Sequence, residues 1–142
     1  MRSSGFSLIE IIIVVSLLSF IFSLGLAVTF RSYESHLFNA EIDTLANILI
    51  KARSNAQSNM LKSAHGVFIK ESDYILFSGL LFDENNSMNQ KTPRNKSIAV
   101  TGMQEVIFEA VSGNPDASGD ILLTNGNQTG SISISQEGRI DW

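Results

Sequence analysis

The feature that most constrains this chain is an unbroken apolar run that carries one buried-type contradiction. From Phe6 to Phe30 there are 25 residues, and Glu10 is the single charged one among them. A helix of that length measures about 37 Å at 1.5 Å per residue, enough to cross a hydrocarbon core of about 30 Å with some tilt. A carboxylate inside such a run costs about 2.5 kcal/mol or more on insertion scales. An ordinary anchor has no reason to keep it, so Glu10 reads as functional, with a partner to be found.

A cleaved secretory signal is the simpler alternative, and Gly25-Leu26-Ala27 offers small residues for a cut. The apolar core of such a signal is about 7–15 residues, shorter than this run, and that reading leaves Glu10 unexplained. Arg2 on the leader side orients the run with its start in the cytoplasm, so the rest of the chain faces the periplasm or exterior. Ser7, Ser16, Ser19, Ser23 and Gly25 are small enough to let membrane helices approach closely. The run is therefore expected to pack on other helices, with Gly25 as its weak point.

A short basic leader with Arg2, then Gly5-Phe6-Ser7-Leu8-Ile9-Glu10, then a long apolar run, resembles the class III signal of type IV pilins and type II secretion pseudopilins. In that family a prepilin peptidase cuts after the glycine and methylates the new amine. The resemblance implies that Gly5 ends the leader, that Phe6 is the methylated first mature residue, and that Glu10 is the assembly carboxylate. It also implies three parts: a leader at 1–5, a transmembrane and assembly helix at 6–30, and an outer domain at 31–142.

From Arg31 onward nine Lys and Arg face thirteen Asp and Glu, a net charge of −4. An acidic domain is a poor generic partner for nucleic acid, whose phosphates call for a basic face. The chain has no cysteine, which excludes a lipoprotein anchor, a disulfide framework and thiolate metal sites. Many major type IV pilins carry a C-terminal disulfide loop, so this absence favours a pseudopilin or minor pilin.

Past Phe30 the pattern turns amphipathic. Phe38, Ile42, Leu45, Leu49, Ala52 and Ala56 recur at spacings of three and four, one stripe of a helix, with Glu34, Glu41, Asp43, Lys51 and Arg53 on other faces. One helix from Phe6 to about Asn59 is expected. From Gly66 the period becomes that of strands. Val67-Phe68-Ile69 and Tyr74-Ile75-Leu76-Phe77 flank a turn and form a hairpin; Leu80-Leu81-Phe82 is a short apolar piece; 83–97 reads as a loop holding Pro93. Further strands are expected at 98–100, 106–108 and 121–123. In the closing hairpin Ile132, Ile134, Ile140 and Trp142 alternate with polar residues, so one face is buried.

Two more stretches carry the resemblance further. Lys51-Ala52-Arg53-Ser54-Asn55-Ala56 is similar to the helix end of H-type minor pseudopilins and FimT pilins. The order from Phe108 to Gly113, a strand, then Ile132 to Ile140 with Gly138-Arg139-Ile140, resembles the last third of that same group.

No catalytic set is evident: His36 and His65 lie far apart, and there is no phosphate loop or nucleophile elbow. The chain is not expected to be an enzyme or to hold a cofactor. Asn114, Asp116 and Asp120 lie in one loop with Gly113 and Gly119, and oxygen ligands on a turning loop suit Ca²⁺. The spacing is not that of an EF-hand, so Asp116 and Asp120 remain weak metal candidates beside the reading as a solvated acidic turn. Lys91, Arg94 and Lys96 form a basic patch. FimT pilins implicated in DNA uptake carry an arginine-rich end, whereas here one arginine, Arg139, is followed by Asp141, which weakens DNA binding.

These readings converge on an α+β, pilin-like fold: a long N-terminal helix whose membrane-spanning first half precedes a half packed on a small antiparallel sheet. The resemblance implies a minor pilin or pseudopilin of a type IV pilus or type II secretion pseudopilus. Its expected partners are other pilin subunits, the prepilin peptidase, an inner-membrane assembly platform and membrane lipid. A major pilin of an extended fibre and a DNA-binding pilin stand as the alternatives.

Overall fold

The structure, a computed structural model, describes the backbone of residues 7–142 and the side chains of residues 7–23 and 33–142. Two compact units follow one another, the first ending at Leu37 and the second running from Phe38 to Trp142. The helix α1, Leu8–Gln57, begins in the first and ends in the second.

In the first unit the twelve large apolar side chains from Leu8 to Phe22 are all 49–78 % exposed. Among the described residues no helix is long and apolar enough to cross a membrane. In this unit's apolar run the side chains are described as far as Ser23, which is about 24 Å of α1 from Leu8. Phe6 and the side chains of 24–30, which complete the expected span, lie outside the described residues.

In the second unit the amphipathic stripe determines the packing. Phe38 is nearly buried, Leu45, Ala46, Leu49, Ala52 and Ala56 are fully buried, and Ile42 sits at the margin. Eight strands follow: β1 His65–Ile69, β2 Asp73–Ser78, β3 Gln90–Pro93, β4 Ala99–Gly102, β5 Glu105–Phe108, β6 Gly119–Thr124, β7 Thr129–Ile134 and β8 Ile140–Asp141. They form two four-stranded antiparallel sheets, ordered β3-β2-β1-β5 and β4-β6-β7-β8. The expectation of a single sheet is corrected here. The polar segment between β5 and β6 lets the chain leave the first sheet, and β4 pairs with β6 instead of with its neighbour β5.

Alternation sorts the side chains of the first sheet. Val67, Ile69, Tyr74, Leu76, Val106 and Phe108 join the helix stripe in the main core, together with Ile121, Leu123, Ile132 and Ile134 of the second sheet. The opposite face holds Phe77 and Ile107 with Ala64, covered by Phe68 and Phe82. Phe82 stacks on Phe68 at 4.3 Å and meets Phe77 edge-on at 5.5 Å. Its neighbours Leu80 and Leu81 stay exposed, so the short apolar piece folds back through its aromatic residue alone.

Three further expectations change. The loop at 83–97 contains β3, an edge strand that ends in Pro93, where the missing N–H costs no ladder bond. Trp142 is 57 % exposed because β8 stops at Asp141; its indole N–H donates to Asp43 Oδ1 at 3.0 Å. His65, which the sequence left without a role, is 4 % exposed within β1, and its Nε2–H donates to Met60 O at 2.9 Å.

The end of α1 is clamped by the two loops that carry the C-terminal motif. Val111 N–H donates to Ala56 O at 2.9 Å, satisfying one of the helix's unpaired carbonyls. Arg53 donates through Nε to Gly113 O at 3.3 Å and through Nη2 to Glu137 O at 2.7 Å. Gly138 adopts a φ of 78°, and a Cβ there would lie 2.5 Å from Gly113 O and 2.8 Å from Arg53 Nε. The separation between Gly113 and Gly138 in sequence thus closes into one contact around Arg53.

Candidate assembly helix

The start of α1 is built locally. Ser7 O accepts the amide protons of Glu10 at 3.1 Å and Ile11 at 3.3 Å, and Ser7 Oγ accepts that of Glu10 at 3.4 Å. Ser7 is therefore the N-cap and Glu10 the third helical residue, the sequence spacing of a capping box, of which the structure shows the bond to Ser7 Oγ. The Ser-x-x-Glu spacing is readable in the sequence, and its capping meaning was missed there. Capping of this kind stabilises by about 0.5–2 kcal/mol.

Beyond the cap the helix surface carries almost no polarity. Ser16 and Ser19 return their hydroxyls to Ile12 O at 2.7 Å and Val15 O at 2.8 Å, so neither presents an unused donor. Glu10, Ile11, Val14 and Val15 line one shallow groove with apolar walls. No Lys, Arg or His occurs between Ser7 and Phe30, so the carboxylate has no counter-charge on its own apolar run. Such a surface can bind lipid or other apolar helices, and its one carboxylate can accept a cation from outside. Gly5 and Phe6, the expected cleavage and methylation residues, lie outside the described residues.

The other candidates fall into structural roles. Asp116 Oδ1 accepts Ile107 N–H at 3.0 Å, Asp116 N–H donates to Ile107 O at 2.8 Å, and Phe108 bridges to Pro115. Asp116 thereby covers the free edge of β5. Asp120 Oδ1 accepts from Ser133 Oγ at 2.7 Å on the outer face of the second sheet. The two carboxylates do not converge, and among the described residues no group of three or more His, Cys, Asp or Glu could hold a metal ion.

The basic patch does not act as one unit either. Arg94 Nη1 donates to Lys70 O at 2.9 Å and Nη2 to Ile98 O, and its guanidinium lies 5.8 Å from the Tyr74 ring centre. Lys91 and Lys96 are exposed. Lys70 pairs with Glu84 and holds that carboxyl below the usual range. Arg139 pairs with Asp141 at 2.7 Å, so the C-terminal arginine faces a carboxylate of its own chain. His36 is exposed on α1, far along the chain from buried His65.

Glu41, placed by the sequence off the apolar stripe, fastens α1 to the first sheet. Its Oε1 accepts Tyr74 Oη–H at 2.8 Å and Asn95 N–H at 3.2 Å. Burial, then the hydrogen bond to Glu41 and that carboxylate's charge, push the Tyr74 phenol well above its ordinary value; Arg94 opposes them weakly. The signal was present: position 41 lies three residues after Phe38 and four before Leu45, at the rim of the stripe.

The helix and its domain define an α+β protein with an unpaired apolar helix surface. A comparison with known proteins found no matching family model, no matching curated protein and no matching solved structure.

Proposed function

We propose that this chain is a structural subunit, a minor pilin or pseudopilin, that polymerises through α1 into a type IV pilus or type II secretion pseudopilus. The observation that carries the reading is the contrast along α1. Its distal stripe is fully used by the core, whereas Leu8 to Phe22 stay exposed around one carboxylate. Twelve exposed large apolar residues need an apolar surrounding, and lipid followed by neighbouring helices supplies it in turn. In this reading residues 6–30 span the inner membrane with the domain outside the cytoplasm. A prepilin peptidase removes 1–5 after Gly5 and methylates Phe6, and an inner-membrane platform extracts the subunit into the filament.

Glu10 then pairs with the ammonium of Phe6 on its own or a neighbouring chain. In a low-dielectric bundle each charge is costly alone, and a partner in the wrong axial register leaves both unpaired. The pair acts as a register key, with apolar packing supplying most of the cohesion. Glu10→Val is expected to insert and be cleaved normally yet be lost from cross-links with neighbouring subunits. Normal incorporation of that variant would show that Glu10 sets no register. Mass spectrometry of the mature chain is expected to find Phe6 first, with one added methyl group; a start after Ala27 would exclude the proposal.

A further inference from the structure

The four sheet edges are not treated alike. β3 is four residues long and carries Lys91 and Pro93, both poor partners for an added strand. The edge of β5 is occupied by Pro115 and Asp116. β8 has two residues, and the part of β7 beyond it runs beneath the helix, where a Cβ on Gly130 would lie 2.5 Å from Ile42 Cδ1. β4 is as short as β3 but carries neither a charge nor a proline. It is the outermost strand of its sheet, and Ala99, Val100, Thr101 and Gly102 are uncharged.

The register shows which groups face outward. Met103 N–H donates to Asp120 O at 3.2 Å, so Met103, Thr101 and Ala99 direct their backbone groups toward β6. Val100 and Gly102 therefore direct theirs away from the sheet. At this edge lies a cleft of about 360 Å³, lined by Ala99 and Val100 together with Lys70, Glu71, Arg94 and Lys96. Even with Glu84, which engages Lys70, the cations there exceed the carboxylates by three to two. In a chain of net charge −4 this is a local reversal of sign.

We infer that β4 is a docking edge for an extended, carboxylate-bearing segment of a partner protein, which adds a fifth strand to the second sheet and seats its acid in the cleft. Backbone hydrogen bonds to Val100 and Gly102 hold the strand, and exposed Lys96 selects the acidic side chain beside it. This recognition is separate from helix assembly and stands whether or not Glu10 sets a register.

The test is an amide NMR titration of the full chain in detergent micelles. The probe is the blocked hexapeptide Thr-Val-Thr-Glu-Val-Thr at up to millimolar concentration, beside its glutamine counterpart. The Val100 and Gly102 amides are expected to shift and to exchange more slowly with solvent on adding the glutamate peptide. About tenfold weaker binding is expected for the glutamine peptide and for Lys96→Glu. Val100→Pro removes an outward donor without breaking a β4–β6 bond and is expected to abolish the effect. Shifts elsewhere, no shifts, or equal binding of the two peptides would overturn the inference, and the exchange measurement on the unaltered chain decides it should Val100→Pro fail to fold.

Discussion

Removing one oxygen, in Tyr74→Phe, should change both the stability of the second unit and its response to alkali. Tyr74 is fully buried, and its hydroxyl donates to Glu41 Oε1 at 2.8 Å. A hydrogen bond to a charged group contributes about 1.5–3 kcal/mol net, so the variant should be less stable by that amount at pH 8. Above the ordinary phenol value the comparison alters. The folded phenol is held protonated by burial and by Glu41, while the unfolded one begins to ionise near pH 10. The unfolded state then binds fewer protons than the folded state, so stability that was fully present below pH 10 is lost as the pH rises. The slope approaches about 1.4 kcal/mol per pH unit. Phenylalanine has no such slope, so the gap between the two proteins should narrow from pH 10 upward and close between about pH 11 and pH 12. Thermal melts of the full chain in mild detergent, followed by near-ultraviolet circular dichroism, measure this directly. A gap that stays constant from pH 8 to 11.5 would refute the link between Tyr74 and Glu41.

Leu45→Ala empties a fully buried site in the helix stripe and should cost about 2–5 kcal/mol, seen as a fall in melting temperature of roughly 10 °C or more. Gly138→Ala should cost more than Gly126→Ala in the same assay. Both positions have positive φ, worth about 1–2 kcal/mol, but a Cβ on Gly138 also meets Gly113 O and Arg53 whereas one on Gly126 meets nothing within 4 Å. The chain from Arg31 onward is expected to fold in solution by itself, with a cooperative melt, since among the described residues the core contains none before Phe38.

The stripe from Phe38 to Ala56 was legible because burial on one side of a helix forces a period of three to four. The hairpin of β1 and β2 was legible because its turn and its alternation agree. The division into two sheets was not, because it rests on pairings between distant strands, such as Val100 with Leu123 and Gly66 with Ile107, that no local pattern encodes. β3 was hidden by its composition: Gln90-Lys91-Thr92-Pro93 has no apolar alternation, since an edge strand buries little. Glycines 113 and 138 were noticed as a pattern, but their contact through Arg53 needed the fold.

Glu10 now has two physical explanations, and their magnitudes separate them. As the third residue after the Ser7 cap, it stands at the Ser-x-x-Glu spacing of a capping box, and a whole N-cap of this kind, Ser7 included, contributes about 0.5–2 kcal/mol. That is less than the cost of about 2.5 kcal/mol or more for an ionised carboxylate in an apolar layer. Glutamine serves the third position of a capping box as well as glutamate does, and it carries no charge to desolvate. A chain selected for the cap alone would gain by having glutamine there. Glu10→Gln therefore keeps the cap and removes only the charge, a cleaner change than Glu10→Val. The helix content of Glu10→Gln by far-ultraviolet circular dichroism should match the parent. On the proposed function, its cross-links to neighbouring subunits should be lost as fully as those of Glu10→Val. Should Glu10→Gln assemble like the parent while Glu10→Val does not, the residue would serve the helix start, and the register would have to come from packing alone.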